Sequence, residues 1–349
     1  MPTSAPITPA KRERAFLIAL AAVVLLAILA WVRPIDYVAL GPGPVTDTLG
    51  APGGKALIQA SGFTTYASTG RLELTTVTVT TRLSLVEALQ AWIAHDQAVV
   101  PRDLIFPKGQ TNKQIDTQNQ TEMADSRVSA VTAALAKLAL LHVKVTGTAA
   151  GGPAGGVLKA GDEIVGINGH LTHSAAAVRM RISEVQVGKR VGVRFKRGDR
   201  VASVVLRTIA SPDDPKRPVI GVSLTETTPP GSNVKIVGLD DVGGPSAGLM
   251  FALGIYDRLT PGSLTGGKVI AGTGTIDAAG QVGPIGGITL KMIGAKRAGA
   301  AWFLTPADNC AEAVRAIPKG LHLARIANLD EAVSAVEGIA AGRNDLPSC

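Results

Sequence analysis

The chain has 349 residues, 46% of them apolar, 18% charged and only 3% aromatic. That length holds two or three domains with cores of their own, and 40 glycines with 21 prolines at this apolar content fit a turn-rich globular chain, not a disordered one. Thirty-five Lys and Arg against 27 Asp and Glu leave a net charge of +8, yet the scattered aromatics offer no stacking platform and no basic run is long, which argues against a nucleic-acid partner.

Residues 15–32 read AFLIALAAVVLLAILAWV without a charge. At 1.5 Å per residue this is roughly 27 Å of helix, about the thickness of a bilayer core. A buried core helix and a cleavable signal peptide are the alternatives; the AILAWVRP exit lacks a small-x-small cleavage pair, and Trp31 and Arg33 stand where interfacial anchors would. The expectation is an uncleaved signal anchor in contact with the lipid bilayer. Lys11, Arg12 and Arg14 precede it, so residues 1–14 are expected in the cytoplasm and the rest of the chain across the membrane. Cys310 and Cys349 are an even pair suited to an oxidising compartment. A disulfide between them would pin the tail 341–349; two unrelated thiols are the alternative.

Residues 33–140 read as an α+β scaffold in which no chemistry is apparent. Leu72, Leu74, Val77 and Val79 alternate like a strand. Ser84 and Glu87 form a capping box opening a helix whose apolar face is Leu85, Ala88, Leu89, Trp92 and Ile93. Residues 108–125 are polar without a clear period, and a second helix is expected over 126–141 through Val128, Val131, Leu135 and Leu138.

Residues 141–209 are more distinctive. Gly152-Pro153-Ala154, the run Leu158-Lys159-Ala160-Gly161-Asp162-Glu163-Ile164 and Ile167-Asn168-Gly169 place tight turns around a short strand, with Asn168-Gly169 supplying positive φ. This segment resembles the PDZ domains of bacterial envelope proteases. The resemblance implies a β-rich domain with helices that binds protein or peptide segments at a sheet edge beside a helix near 174–185, and it points to Gly161, Asp162, Ile164, Asn168 and Gly169 as the motif. The family's carboxylate-binding loop is not recognisable. A PDZ fold kept as a spacer is the alternative.

Residues 210–340 carry the densest motifs. Ser246 lies in Gly243-Gly244-Pro245-Ser246-Ala247-Gly248, at the start of a helix through Leu249, Phe251, Ala252 and Ile255. Unpaired amides there, with Gly244 and Ala247 as neighbours, can stabilise an oxyanion, although a serine in this place can also simply cap the helix. After Pro284-Ile285-Gly286-Gly287 a second helix begins, in which Lys291 is followed by Gly294, Ala295 and Ala298 at i+3, i+4 and i+7. A lysine on a small-residue face packs closely and loses solvent, which lowers its pKa and frees a neutral amine to act as base. Lys296 beside Arg297 reads as solvated.

These motifs resemble the proteolytic domain of the Lon family of serine peptidases. The resemblance implies Ser246 as nucleophile, Lys291 as general base and Thr273 as a residue near the dyad that orients the lysine. It also implies a homo-oligomer of unspecified number. Where energy-dependent members have an acid just before GPSAG, this chain has Gly243, its acids being Asp240 and Asp241. The order of anchor, PDZ and Lon-type domain resembles the membrane-anchored PDZ proteases of bacteria.

Two other motifs compete. Gly244 to Gly248 also satisfies G-x-S-x-G, but an α/β-hydrolase would need an acid and then a histidine, and His322 alone follows, in the apolar alternation of Leu321, Leu323 and Ile326. Gly262 to Lys268 has Walker-like spacing, yet Val269 cannot ligate magnesium and a strand follows, so no nucleotide is expected. His95, His142, His170, His173 and His322 are scattered, so no metal is expected, and no cofactor. The sequence thus predicts an α+β multidomain chain: a transmembrane helix, a PDZ domain and a Lon-type α/β domain forming an ATP-independent serine endopeptidase that acts on unfolded or membrane-associated proteins outside the cytoplasm. A non-catalytic PDZ adaptor and a GxSxG esterase are the alternatives.

Overall fold

The computed structural model describes residues 9–107, 109–240, 242–343 and 345–349, apart from the side chains of 9–12 and 112; residues 1–8 of the expected cytoplasmic tail, Lys108 and Asp241 lie outside it. The chain divides into two compact units, residues 1–43 with 77–115 and residues 44–76 with 116–349.

In the first unit the helix Pro9–Val32 includes a span, Glu13–Val32, of mean hydropathy 3.0 with none of it buried, long and apolar enough to cross a membrane. Pro34 and Ile35 pair antiparallel with Ser84 and Leu83, and residues 37–40 pair with Ala98–Pro101. The helix Leu85–Ile93 starts at the expected capping box, with the Ser84 hydroxyl accepting from the Glu87 amide and the Glu87 carboxylate accepting from Ser84. Its apolar face is not what the sequence suggested. Ala88 and Ala91 join Ala39 and Leu83 in a small core, while Leu85, Leu89, Trp92 and Ile93 are exposed. Only the alanines are small enough to let the helix settle closely onto its strands.

The second unit is built on parallel strands in the order His322–Ile326, Trp302–Pro306, Val269–Gly272 and the start of Arg71–Thr80. Their continuous apolar runs suit a sheet covered on both faces. The helix Gly248–Leu259, apolar almost all round, lies in the centre of the main core with Leu72, Leu74, Ile270 and Leu304. The helix Asn112–Lys137 supplies Met123, Ala130, Ala133, Ala134 and Leu135 to the same core. This corrects two expectations. The helix begins well before Ser126, with Thr111 and Gln114 exchanging capping hydrogen bonds, and its first half is polar because that part faces solvent. Much of the supposed scaffold is therefore part of the fold around Ser246.

In sequence, between Lys137 and the helix Gly248–Leu259, comes a second sheet, in the order Arg200–Arg207, Arg190–Arg197, Glu163–Ile167, His142–Thr148 and Val222–Thr227, with its own core of Val143, Ile164, Ile167, Val178, Val193 and Phe195. The helix Ala175–Ser183 is capped by Ser174, close to where the sequence placed it. One of its two edge strands, Val222–Thr227, lies beyond residue 209.

Candidate active site

The turn that carries Ser246 is held from one side. Gly244 has φ 82° and donates its amide to the Asn119 carbonyl at 2.9 Å, while Ser126 donates its hydroxyl to the Pro245 carbonyl at 2.9 Å. A Cβ on Gly243 would stand 2.7 Å from the Asn119 Cβ, so the turn presses directly on the helix Asn112–Lys137. Neither Asn119 nor Ser126 was singled out from the sequence. Thr111 and Gln114 were the signal that their segment is helical.

The helix after the turn starts at Gly248 with Ala247 as N-cap and no side-chain cap. Ser246 is thus not spent on capping. Its hydroxyl lies 2.7 Å from the Lys291 Nζ. Lys291 sits in the first turn of the helix Ile288–Arg297, which follows Gly287 at φ 70° and packs Ile288, Met292, Gly294 and Ala295 inward. Asn309 fixes the approach to that helix by bonding both the amide and the carbonyl of Ile285 at 2.9 Å. Lys296, expected in solvent, donates to the Gly320 carbonyl at 2.9 Å.

Lys291 is 3% exposed and forms no ion pair among the described residues. Burial alone pushes its ammonium from an ordinary 10.5 down to about 8. Thr273, also buried, donates its hydroxyl to the Ser246 carbonyl at 3.0 Å and accepts from Lys291 Nζ at 3.0 Å. With the threonine proton already committed, the neutral amine turns an N–H toward Thr273 and its lone pair toward Ser246. The Gly274 amide adds a second donor to the Ser246 carbonyl at 2.9 Å, which fixes the serine backbone.

The Gly244 amide, expected near an oxyanion, is consumed by Asn119 and is not available. Among the described residues, the amides of Ser246 and Ala247 donate to no acceptor in the chain. These two N–H groups, beside the start of a helix, are the donors an oxyanion can use.

The competing motifs are spent on structure. His322 lies against Trp302 with ring centroids 5.0 Å apart. Lys268 donates to the Ile339 carbonyl, and Thr265 bonds the Thr69 carbonyl. His142 bonds Glu163 at 2.7 Å. Cys310 and Cys349 are joined in a disulfide.

In the second sheet the five motif residues shape the fold and stand apart from the groove. Gly161, Asn168 and Gly169 take positive φ, the Asn168 side chain accepts from the Gly192 amide at 2.7 Å, and Ile164 is in the core. The buried Asp162 receives two bonds of 2.6 Å from Arg197, which hold its carboxyl below the usual range. The groove, about 780 Å³, lies instead between the helix Ala175–Ser183 and the strand Val222–Thr227, lined by Val178, Ile182, Val219, Val222 and Leu224. Among the described residues Val222–Thr227 pairs only with His142–Thr148 and is one of the sheet's two edges. The sequence signal for it was the short alternation of Val222 and Leu224 after Gly221.

Residues 238–337 match the family of the Lon protease (S16) C-terminal proteolytic domain. Ninety-one residues are 34% identical to Lon protease 1 of Bacillus subtilis (strain 168), covering 25% of this chain and 12% of that protein. Sixty-nine residues are 45% identical to Lon protease 1 of Sorangium cellulosum (strain So ce56), covering 20% and 8%. The chain thus spans about a tenth of the length of these relatives. Among solved structures, the PDZ domain of an SdrC-like protein from Listeria monocytogenes is 30% identical with a TM-score of 0.22, over 24% of this chain and 86% of that one. A second, from Listeria innocua, is 27% identical with the same TM-score, over 24% and 92%. Ser246, Thr273 and Lys291 all fall inside the segment, residues 238–337, that is similar to a Lon-type proteolytic domain, and the chain as a whole is α+β.

Proposed function

We propose that the protein is a membrane-anchored, ATP-independent serine endopeptidase in which Ser246 and Lys291 form a catalytic dyad and the PDZ-like groove receives the substrate. The observation that carries this reading is the 2.7 Å approach of a buried, uncompensated lysine to a serine that caps nothing. A lysine kept only for structure has no need of such a site, because burying its charge costs stability.

In the reaction, neutral Lys291 takes the hydroxyl proton as Ser246 Oγ attacks the peptide carbonyl. The tetrahedral oxyanion is held by the amides of Ser246 and Ala247. Lys291 then passes its proton to the leaving amine, and the C–N bond breaks to leave an acyl-enzyme. Water, deprotonated by the same amine, attacks the ester, and the proton returns to Ser246 Oγ as the carboxylate leaves. Thr273 keeps the amine pointed at Ser246 throughout. The chain's Walker-like run is committed to internal contacts, consistent with turnover that needs no nucleotide.

The groove beside Val222–Thr227 suits an extended segment of an unfolded protein added as a further strand. The N-terminal helix would hold residues 33–349 at the outer surface of a bacterial cell membrane, with the N-terminus in the cytoplasm. The test is digestion of casein by full-length protein in detergent or lipid. Ser246→Ala and Lys291→Ala are each expected to abolish cleavage with the melting transition retained, and a serine-directed phosphonate is expected to label the native protein alone. Full activity in either variant overturns the dyad.

A further inference from the structure

Four large apolar side chains on the helix Leu85–Ile93 are left exposed. Leu85 and Leu89 are about half exposed, Trp92 is 73% exposed and Ile93 72%. At 100° per residue they occupy about 100° of one face, beside the side that carries buried Ala88 and Ala91, the two centres lying about 120° apart. A helix that turns its alanines inward and its leucines, tryptophan and isoleucine outward reverses the usual arrangement of a globular surface.

Its place in the first unit identifies what covers it. The apolar span ends at Val32, and three residues later Ile35 is already paired with Leu83, with Pro34 against Ser84, the N-cap of this helix. The two helices come close to one another. Leu85 is therefore tied by strand pairing and by the cap to the point where the span ends. Arg33 and Arg82 flank this pairing and are exposed, as are Trp31 and Trp92, two of the three tryptophans in the chain. Arginine and tryptophan near the end of an apolar span are the side chains that settle at the boundary of headgroups and acyl chains. A stripe of four side chains is also small beside the roughly 800 Å² per partner that a stable protein interface buries.

We propose that this face is a second membrane contact: the helix Leu85–Ile93 lies in the interfacial layer of the bilayer, beside the exit of the span, with Leu85, Leu89, Trp92 and Ile93 among the upper acyl chains. The proposal rests on the reading of Glu13–Val32 as a membrane span. A one-point tether would let the first unit swing freely, whereas a second contact fixes its orientation to the membrane plane.

The test uses full-length protein in nanodiscs of ordinary or brominated phosphatidylcholine, the bromines set near the headgroup end, with tryptophan fluorescence as readout. Two variants are compared, Trp31→Phe/Trp302→Phe, which leaves Trp92, and Trp92→Phe/Trp302→Phe, which leaves Trp31. Both tryptophans are expected to lose fluorescence in brominated lipid, and Leu89→Ser/Ile93→Ser, altering only exposed positions, is expected to reduce the loss at Trp92 without changing the melting transition. Quenching of Trp31 with Trp92 unaffected overturns the second contact and leaves the span standing. Quenching of neither overturns both. If Trp92 escapes lipid while Leu89→Ser/Ile93→Ser lowers the oligomeric state, the face belongs to a second copy and the proposal fails.

Discussion

Lys291 sets the working pH of the proposed dyad. Its proton must be absent for it to accept another, so with the ammonium brought to about 8 the rate rises as pH increases and levels off above that value. At pH 6 turnover is expected to be about a hundredfold below the plateau, measured as kcat/KM on a fluorogenic peptide; a flat profile between pH 6 and 9 contradicts a lysine base. The same burial has a cost in stability. Below pH 8 the lysine is protonated in both folded and unfolded chains, and the penalty for enclosing the charge is fully present; it fades as pH climbs from 8 to 10.5, where only the unfolded chain still binds the proton. The drop from 10.5 to about 8 corresponds to about 3 kcal/mol. Lys291→Met is accordingly expected to be inactive yet to melt higher at pH 7, with the gain vanishing above pH 10; a lower melting point at pH 7 would count against the desolvated charge. At this scale much was legible in the sequence. GGPSAG, PIGG and the small residues after Lys291 marked both partners, but the use of the Gly244 amide by Asn119 depends on a residue 125 positions upstream of that glycine and leaves no local trace.

The helix Asn112–Lys137 acts on the site through the backbone of the serine turn. Ser126→Ala removes the bond to the Pro245 carbonyl while leaving the reacting groups in place. A loosened turn misplaces Oγ, and kcat is expected to fall about tenfold with KM unchanged and about 1 kcal/mol of stability lost; an unaltered kcat would show that Gly244 and Asn119 hold the turn unaided. The first half of this helix was missed in sequence because polar residues facing solvent carry no period, so only its cap announced it. The Leu85–Ile93 helix shows the converse. Its period was plain, but period reports an apolar face and not what lies against it. The edge strand Val222–Thr227 was obscured for a third reason: its partner, His142–Thr148, is more than seventy residues earlier, and pairing at that distance cannot be read from either strand alone.

Across the whole molecule, the disulfide between Cys310 and Cys349 closes a 39-residue separation that contains the last strand and helix of the proteolytic fold. Cys349 packs on the same cluster as Ile288 and Met292, flanking Lys291, and Cys310 follows the asparagine that holds Ile285. On the chain-entropy account a loop of this length contributes about 4 kcal/mol. Cys310→Ser/Cys349→Ser, or reduction of the native protein, is expected to lower the melting temperature markedly while activity at low temperature survives. An unchanged melting curve would mean the bond constrains little.

The second sheet meets the rest of the chain in an unusual way, since its first and last strands are neighbours in register, His142 opposite Thr227. The polypeptide therefore enters and leaves this 86-residue stretch through a single doorway about one strand spacing wide. Such a stretch is a cassette. Its groove can be reshaped, or exchanged for one with another appetite, while the helix that leads into the doorway and the turn that follows it keep the serine and lysine at their distance.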